Sequence, residues 1–321
     1  SVAAVVIALV AVYQIATAAQ LRPGAESKRS DGLLLIVSMN ESKVDIIDES
    51  SLKTVASLKT GTGPHEVRVA PDGRNAYVVA GGTITAIDIA RRAVRATFDL
   101  GDVVTHDIRI SRDGTRLWAA CAPTRTVIEV DTDKGTVLKR YSTNRDGAWF
   151  VELSPDESKL YTPNLEGTSV SVITRSSASV KVLPLDFQAY GIDITPDGKT
   201  VLVSGRALTV IDTTTDAVVR TIATTPAETG RLRITPDGLQ VVVAMAKSLA
   251  VFDIATGRLL REIPLPASPK VLALSGDGRR AYLTNPDANS VTIVELAEGE
   301  VATLPSAQRP DGIAWAPNPR P

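Results

Sequence analysis

The chain has 321 residues, with 35 Lys+Arg against 36 Asp+Glu and a formal net charge of -1, so it lacks the basic excess that nucleic-acid binding draws on. A single cysteine, Cys121, excludes an intrachain disulfide and a Cys-based zinc cluster. The two histidines, His65 and His106, must carry any histidine-dependent catalysis, metal binding or haem ligation.

Ser1 to Ala19 carries no charge, and Val2 to Val12 is unbroken apolar sequence followed by the small-residue stretch Ala16-Thr17-Ala18-Ala19. An apolar run of this length with such an exit predicts a secretory signal peptide over 1–19 or, uncleaved, an N-terminal anchor. Without an initiating Met or a basic start, the chain is expected to begin within that signal. Residues 20–32 are polar and read as a linker. The remainder is expected to be periplasmic or secreted, with membrane contact only through an uncleaved N-terminal segment.

From residue 33 onward a short motif recurs: Ala70-Pro71-Asp72-Gly73, Ser111-Arg112-Asp113-Gly114, Ser154-Pro155-Asp156-Glu157, Thr195-Pro196-Asp197-Gly198, Thr235-Pro236-Asp237-Gly238, Ser275-Gly276-Asp277-Gly278 and Ala316-Pro317-Asn318-Pro319. The Asp or Asn positions are 41, 43, 41, 40, 40 and 41 residues apart. A period near 40 built of short strands predicts an all-β, seven-bladed β-propeller over 33–321 with four strands per blade. Pro-Asp-Gly makes the tight turn between the first two strands: Pro presets φ, Asp caps, and Gly takes positive φ. In one unit the strands are predicted at Gly191–Thr195, Thr200–Ser204, Leu208–Asp212 and Ala217–Ile222. The third strand usually ends in an acid (Asp48, Asp88, Asp131, Asp212, Asp253, Glu295), which reads as turn chemistry rather than as a catalytic carboxylate. Residues 33–60 supply three strands without an innermost one, and 312–316 supply one strand at the other end. Three plus one predict a closing blade shared by both termini, which removes the open edges of the array.

Tyr282-Leu283-Thr284-Asn285, its looser copy Tyr161-Thr162-Pro163-Asn164, and the blade start Gly63-Pro64-His65-Glu66-Val67-Arg68-Val69-Ala70-Pro71-Asp72-Gly73 carry a resemblance. Over about residues 33–317 the chain resembles the YVTN family of bacterial and archaeal β-propellers. The Gly-His and Trp-Asp pairs of eukaryotic WD40 blades are absent. The resemblance implies the fold and leaves function open, because the family is functionally scattered.

Aligned on the turn Asp, the innermost strands divide by parity. Positions five and three before it are apolar in all seven units (Val67 and Val69 through Ile313 and Trp315) and are expected to pack between blades. Four before it stand Arg68, Arg109, Glu152, Asp193, Arg233, Ala273 and Ala314; six before it stand Glu66, Asp107, Phe150, Gly191, Arg231, Val271 and Gly312. The resemblance implies small residues here, yet charge dominates. Arg68, Arg109, Glu152, Asp193 and Arg233 therefore predict either channel-filling ion pairs or a polar pocket for an anionic or zwitterionic ligand. Seven before the Asp, at the channel mouth, stand His65, His106, Trp149, Tyr190, Gly230, Lys270 and Asp311. Both histidines fall in one register on adjacent blades. Repeat duplication explains this, as does a ligand or metal site using His65 and His106, with Trp149 and Tyr190 as stacking faces. Glu66, Asp107 and Asp311 would favour a cation, and Lys270 and Arg231 an anion.

The predicted role is a binding module for a protein partner or a small-molecule ligand at the channel mouth, with no cofactor identified. The resemblance leaves two alternatives: an enzyme of lactonase type, and a d1-haem or metal-binding propeller using His65 and His106, for which no further histidine or Cys-x-x-Cys-His is present. No Walker A, dinucleotide Gly-rich motif, nucleophile elbow or His-Glu-x-x-His occurs. Cys121 ends a predicted strand as a buried inert thiol.

Overall fold

The computed structural model describes residues 31–101, 105–224 and 229–319. The expected signal or anchor over 1–19 lies outside the described residues, as does nearly all of the expected linker. The rest forms seven four-stranded antiparallel sheets. Six blades come from continuous chain: blade 1 (66–99), blade 2 (108–142), blade 3 (152–184), blade 4 (192–223), blade 5 (229–264) and blade 6 (272–305). Among the described residues the only helical pieces are the single turns Ala122–Thr124 and Pro286–Ala288.

The seventh blade joins both ends of the chain. Its order is Pro310–Pro317, Gly32–Ser38, Lys43–Asp48, Lys53–Lys59 from the axis outward. Leu33 pairs with Ala316 and Ile36 with Ile313. The closing strand is longer than the sequence suggests, because pairing runs from Gly32↔Pro317 to Ser38↔Pro310. Gly32, expected in the linker, is thus the first ladder residue. The innermost strands touch in the order closing blade, then blades 1 to 6, and back to the closing blade.

Turn chemistry sets the register inside each blade. Asp156 Oδ1 accepts from Ser154 Oγ at 2.6 Å and from the Ser158 amide at 3.0 Å. Asp113, Asp197 and Asp277 repeat this with Ser111, Thr195 and Ser275. Gly73, Gly114, Gly198, Gly238 and Gly278 take φ between 69° and 73°, the left-handed region. Glu157 occupies that place in blade 3 at φ 59°, and its carboxylate accepts the Arg112 amide of blade 2 at 2.6 Å. The third-strand acids cap hairpins: Asp88, Asp212 and Asp253 accept amides of Arg91, Thr215 and Thr256 at 2.7 to 2.8 Å. These bonds hold their carboxyls below the ordinary range.

The core lies between blades. Ile84 and Val79 of blade 1 meet Ile108, Leu117 and Ile128 of blade 2, and every other blade junction has an equivalent cluster. Each such side chain contributes roughly 1.5–3 kcal/mol of burial, and the clusters include Val67, Ile108, Val151, Ile192, Leu232, Leu272 and Ile313, one per innermost strand. Cys121 is fully buried, and burial pushes its thiol up to about 12, so it stays protonated.

Candidate functional site

Each blade enters the ring through one residue just ahead of, or at the start of, its innermost strand. Convergence on the axis brings most of these residues into contact. Lys270 Nζ lies 2.8 Å from Asp311 Oδ2, and His65 Nδ1 lies 3.1 Å from the same oxygen. The His65 and His106 rings stack with centroids 5.0 Å apart and planes 23° apart. His106 meets Trp149 edge to face at 5.4 Å and Phe150 at 5.2 Å, and Phe150 meets Tyr190 at 5.5 Å. An unbroken arc thus runs from blade 6 through the closing blade to blade 4, and Gly230 of blade 5 leaves the gap.

The arc is more deeply set than a rim. Asp311 is buried, and side-chain exposure is 31% for His65. Burial opposes ionisation of Asp311, but the hydrogen bond from His65 and the Lys270 ammonium outweigh it and hold the carboxyl below its usual value. Burial, reinforced by His65, lowers His106 to about 4, so this imidazole is neutral at physiological pH. Its Nδ1 is buried without a hydrogen-bond partner. The two stacked rings face each other rather than turning nitrogen edges to a shared point. Among the described residues no group of three His, Cys, Asp or Glu is arranged to hold a metal ion. Lys270, expected to orient an anion across the ring, instead pairs with its neighbour Asp311.

Below the mouth a plug crosses the channel. Arg231 of blade 5 reaches across to the Glu66 carboxylate of blade 1, and its guanidinium lies 3.7 Å from the Phe150 ring centroid. From Glu66 the ion pairs continue around the ring. Arg68 bridges Glu66 at 3.1 Å and Asp107 at 2.9 Å; Arg109 bridges Asp107 at 3.0 Å and Glu152 at 2.7 Å. Nε of Arg109 adds bonds of 2.9 Å to both Glu152 oxygens. Burial opposes the charge on Asp107, yet Arg109 and Arg68 hold its carboxyl below the usual range. Glu66, Asp107 and Arg231, expected at a ligand site, are therefore engaged with one another and with the channel arginines.

The chain of pairs stops at blade 3. Asp193 and Arg233, expected to pair, form no ion pair within 4.0 Å among the described residues. The Asp193 oxygens accept the amides of Ile194 at 3.0 Å and Ile234 at 2.8 Å instead. Burial, with Glu152 beside it, raises Asp193 to about 6, and burial with Arg68 lowers Arg233 to about 10.

Two residues outside the expected set matter to this architecture. Phe150 supports both Arg231 and His106. Glu49, buried, accepts from Trp315 Nε1 at 2.8 Å and Arg280 at 3.0 Å and is bonded by the Tyr282 hydroxyl, locking the closing blade to blade 6. The signal for Glu49 was present: the residue after the third-strand acid is Ile89, Thr132, Thr213, Ile254 or Leu296 in other blades. Away from the mouth, two clefts of about 440 and 560 Å³ lie between blades on the face of the Asp turns; one is lined by Pro236, Leu260 and Arg279, the other by Arg112, Lys159 and Asp197.

No family model matches the chain. It is 26% identical over 269 residues to hydrazine synthase subunit beta of Kuenenia stuttgartiensis, covering 79% of this chain and 59% of that protein. The chain thus spans less than two thirds of that relative's length. Among solved structures, Kuenenia stuttgartiensis hydrazine synthase superposes with a TM-score of 0.71 at 19% identity, covering 86% of this chain and 92% of that one. The Cps50 (Swd1) β-propeller domain of Myceliophteria thermophila gives 0.73 at 18% identity, covering 81% and 92%. A functionally unknown protein of Desulfotomaculum acetoxidans gives 0.79 at 14% identity, covering 88% and 98%. At these identities the structural matches establish the seven-bladed propeller fold and nothing finer.

Proposed function

We propose that this chain is an extracytoplasmic propeller of the YVTN kind that acts as a binding module and takes a small polar ligand with a flat π face at the channel mouth. The observation that carries the reading is the arc Lys270–Asp311–His65–His106–Trp149, which combines an ion pair, a stacked imidazole pair and an aromatic wall. Charge at the mouth is already matched between Lys270 and Asp311, so ring stacking and hydrogen bonds are what remain to offer. Likeness to a protein named as a subunit supports a second part of the reading: the propeller works beside a protein partner. Native mass spectrometry, metal analysis and absorption spectroscopy of protein purified from its own compartment test this. The expected result is a copurifying small molecule that is absent from the His65→Ala/His106→Ala variant. A ligand retained by that variant refutes the mouth, and a bound metal or haem chromophore refutes the small-ligand reading in favour of a metal- or haem-binding propeller. Recovery of the protein from the cytoplasmic fraction refutes the location.

A further inference from the structure

We propose that the turn-side half of the channel, below the Arg231 plug, binds one small oxoanion through the guanidinium groups of Arg233 and Arg68, over the alanines Ala273 and Ala314. Four observations lead there.

First, Arg233 is the channel cation without a carboxylate partner among the described residues. Its one hydrogen bond goes to the Leu232 carbonyl at 2.9 Å. A guanidinium presents five N–H donors in a planar fork. The other Arg233 nitrogens are not among the buried unpartnered atoms, so they face water in the channel. Second, the acid next to it is committed elsewhere, because both Asp193 oxygens accept backbone amides. Third, Arg68 also has a donor to spare: its two terminal nitrogens, with two N–H groups each, meet Glu66, Asp107 and the Val67 carbonyl, and the side chain keeps 13% exposure. Arg68 and Arg233 occupy the same register, four residues before the turn Asp, on the channel-lining strands of blades 1 and 5, and the like charge of Arg68 counts against the charge on Arg233. Fourth, the two blades between them in the ring, blade 6 and the closing blade, place only Ala273 and Ala314 at that level. Two methyl groups leave room where every other blade puts a long or charged side chain.

Two like charges at one level of the channel, with only small residues between them in the ring, are stabilised by an anion bound to both. A planar fork selects an anion with two oxygens on one centre, a carboxylate or an inorganic oxoanion, over a spherical halide. The ligand enters from the face of the Asp turns, since Arg231, Phe150 and Glu66 block the route from the mouth. This goes beyond the mouth site and is independent of it.

Isothermal titration calorimetry of the full chain with sodium sulfate, and separately with sodium acetate, at ionic strength held with sodium chloride, tests the inference. One saturable site is expected for at least one anion, and the stronger of the two tells an inorganic oxoanion from a carboxylate. Arg233→Gln should weaken it about tenfold or more, the usual scale for a lost charge-assisted hydrogen bond. Ala273→Leu, which removes no charge, should weaken it similarly by filling the gap, and it decides the matter if Arg233→Gln does not fold. His65→Ala/His106→Ala should bind the anion as the unaltered chain does. No saturable heat with either anion, or unchanged affinity in Ala273→Leu, overturns the proposal. Loss of anion binding in the histidine variant places the anion at the mouth and also overturns it.

Discussion

The channel wall has two unlike arcs on one repeated backbone. Blades 1 to 5 line it with Glu66, Arg68, Asp107, Arg109, Glu152, Asp193, Arg231 and Arg233, with Phe150 among them. Blade 6 and the closing blade line it with Val271, Ala273, Gly312 and Ala314. Across blades 1 to 3 the charged arc is held by side chains that reach from blade to blade, as Arg109 does from Asp107 to Glu152. The small arc is held by close backbone packing. A Cβ on Gly312 would lie 2.6 Å from the His65 carbonyl oxygen and 2.7 Å from Glu66 Cα, so the closing strand approaches blade 1 only because that carbon is missing. The comparison teaches that strand spacing near the axis is set in two ways, by ion-pair bridging across blades 1 to 3 and by backbone contact elsewhere, since a Cβ on Gly191, just ahead of blade 4, would likewise lie 2.9 Å from the Gly230 carbonyl oxygen of blade 5.

The most severe way to break the arrangement is to remove residues 309–321. That deletion strips the innermost strand from the closing blade and exposes the Leu33–Val37 ladder, and the whole ring should lose its cooperative thermal transition in calorimetry. A truncated chain that melts like the intact one would refute closure by both ends. Next in size is Glu152→Ala in the charged arc. It leaves Arg109 with a buried charge short of one partner, a loss on the order of 3–5 kcal/mol in urea denaturation. In the small arc, Gly312→Ala forces backbone apart and should cost about 1–3 kcal/mol, the scale of overpacking. If Gly312→Ala proves the more costly of the two, contact rather than charge dominates the channel.

The smallest effect, and the sharpest in sign, belongs to Asp193. Its folded value of about 6 lies above the ordinary carboxyl value, so the folded state binds the extra proton between roughly pH 4 and 6. The group therefore favours folding at the acid end, and its contribution falls as pH rises through that window and is flat above it. Asp193→Asn removes this dependence. Relief of a buried carboxylate and loss of its attraction for Arg233 oppose each other, so the net change at pH 7 should stay within about 1 kcal/mol. The stability difference between variant and parent should rise from pH 4 to 6 in the variant's favour; a flat difference would show that Asp193 is not held above its normal range.

The blades were legible because their signals are local. Ser/Thr-x-Asp-Gly closes a turn within a few residues, and the alternating apolar parity of each innermost strand needs only a neighbour to pack on. Closure was legible from strand count alone. The charged channel positions were legible as a register but not as partners. Arg109 could be assigned to the channel, whereas Arg231 reaching Glu66 of a distant blade depends on side-chain length against ring diameter. Asp193 and Arg233, expected among the channel ion pairs, stay out of them for a related reason: backbone amides of blades 4 and 5 take the Asp193 carboxylate, and no side-chain alignment contains them. At the mouth, the shared register placed His65 and His106 on adjacent blades, but neither the stacking of their rings nor the depth of Asp311 showed, because both depend on neighbouring blades.

The pairing of Gly32–Ser38 with Pro310–Pro317 also sets the order of events as the chain is made. The first three strands are made before the rest, yet the strand that completes their sheet is separated from its partner by some 280 residues of sequence, as in Leu35↔Ala314. Until residues 310–317 have been made, the apolar run Leu33–Val37 presents a free ladder edge that six finished blades cannot cover. Such a non-local final contact makes ring closure a slow, late step in folding. It also makes the nascent N-terminal hairpins the place where a foreign strand, or the same segment of another chain, competes for the vacant edge. Refolding yield should therefore fall with protein concentration far more steeply than the stability of the finished ring would suggest.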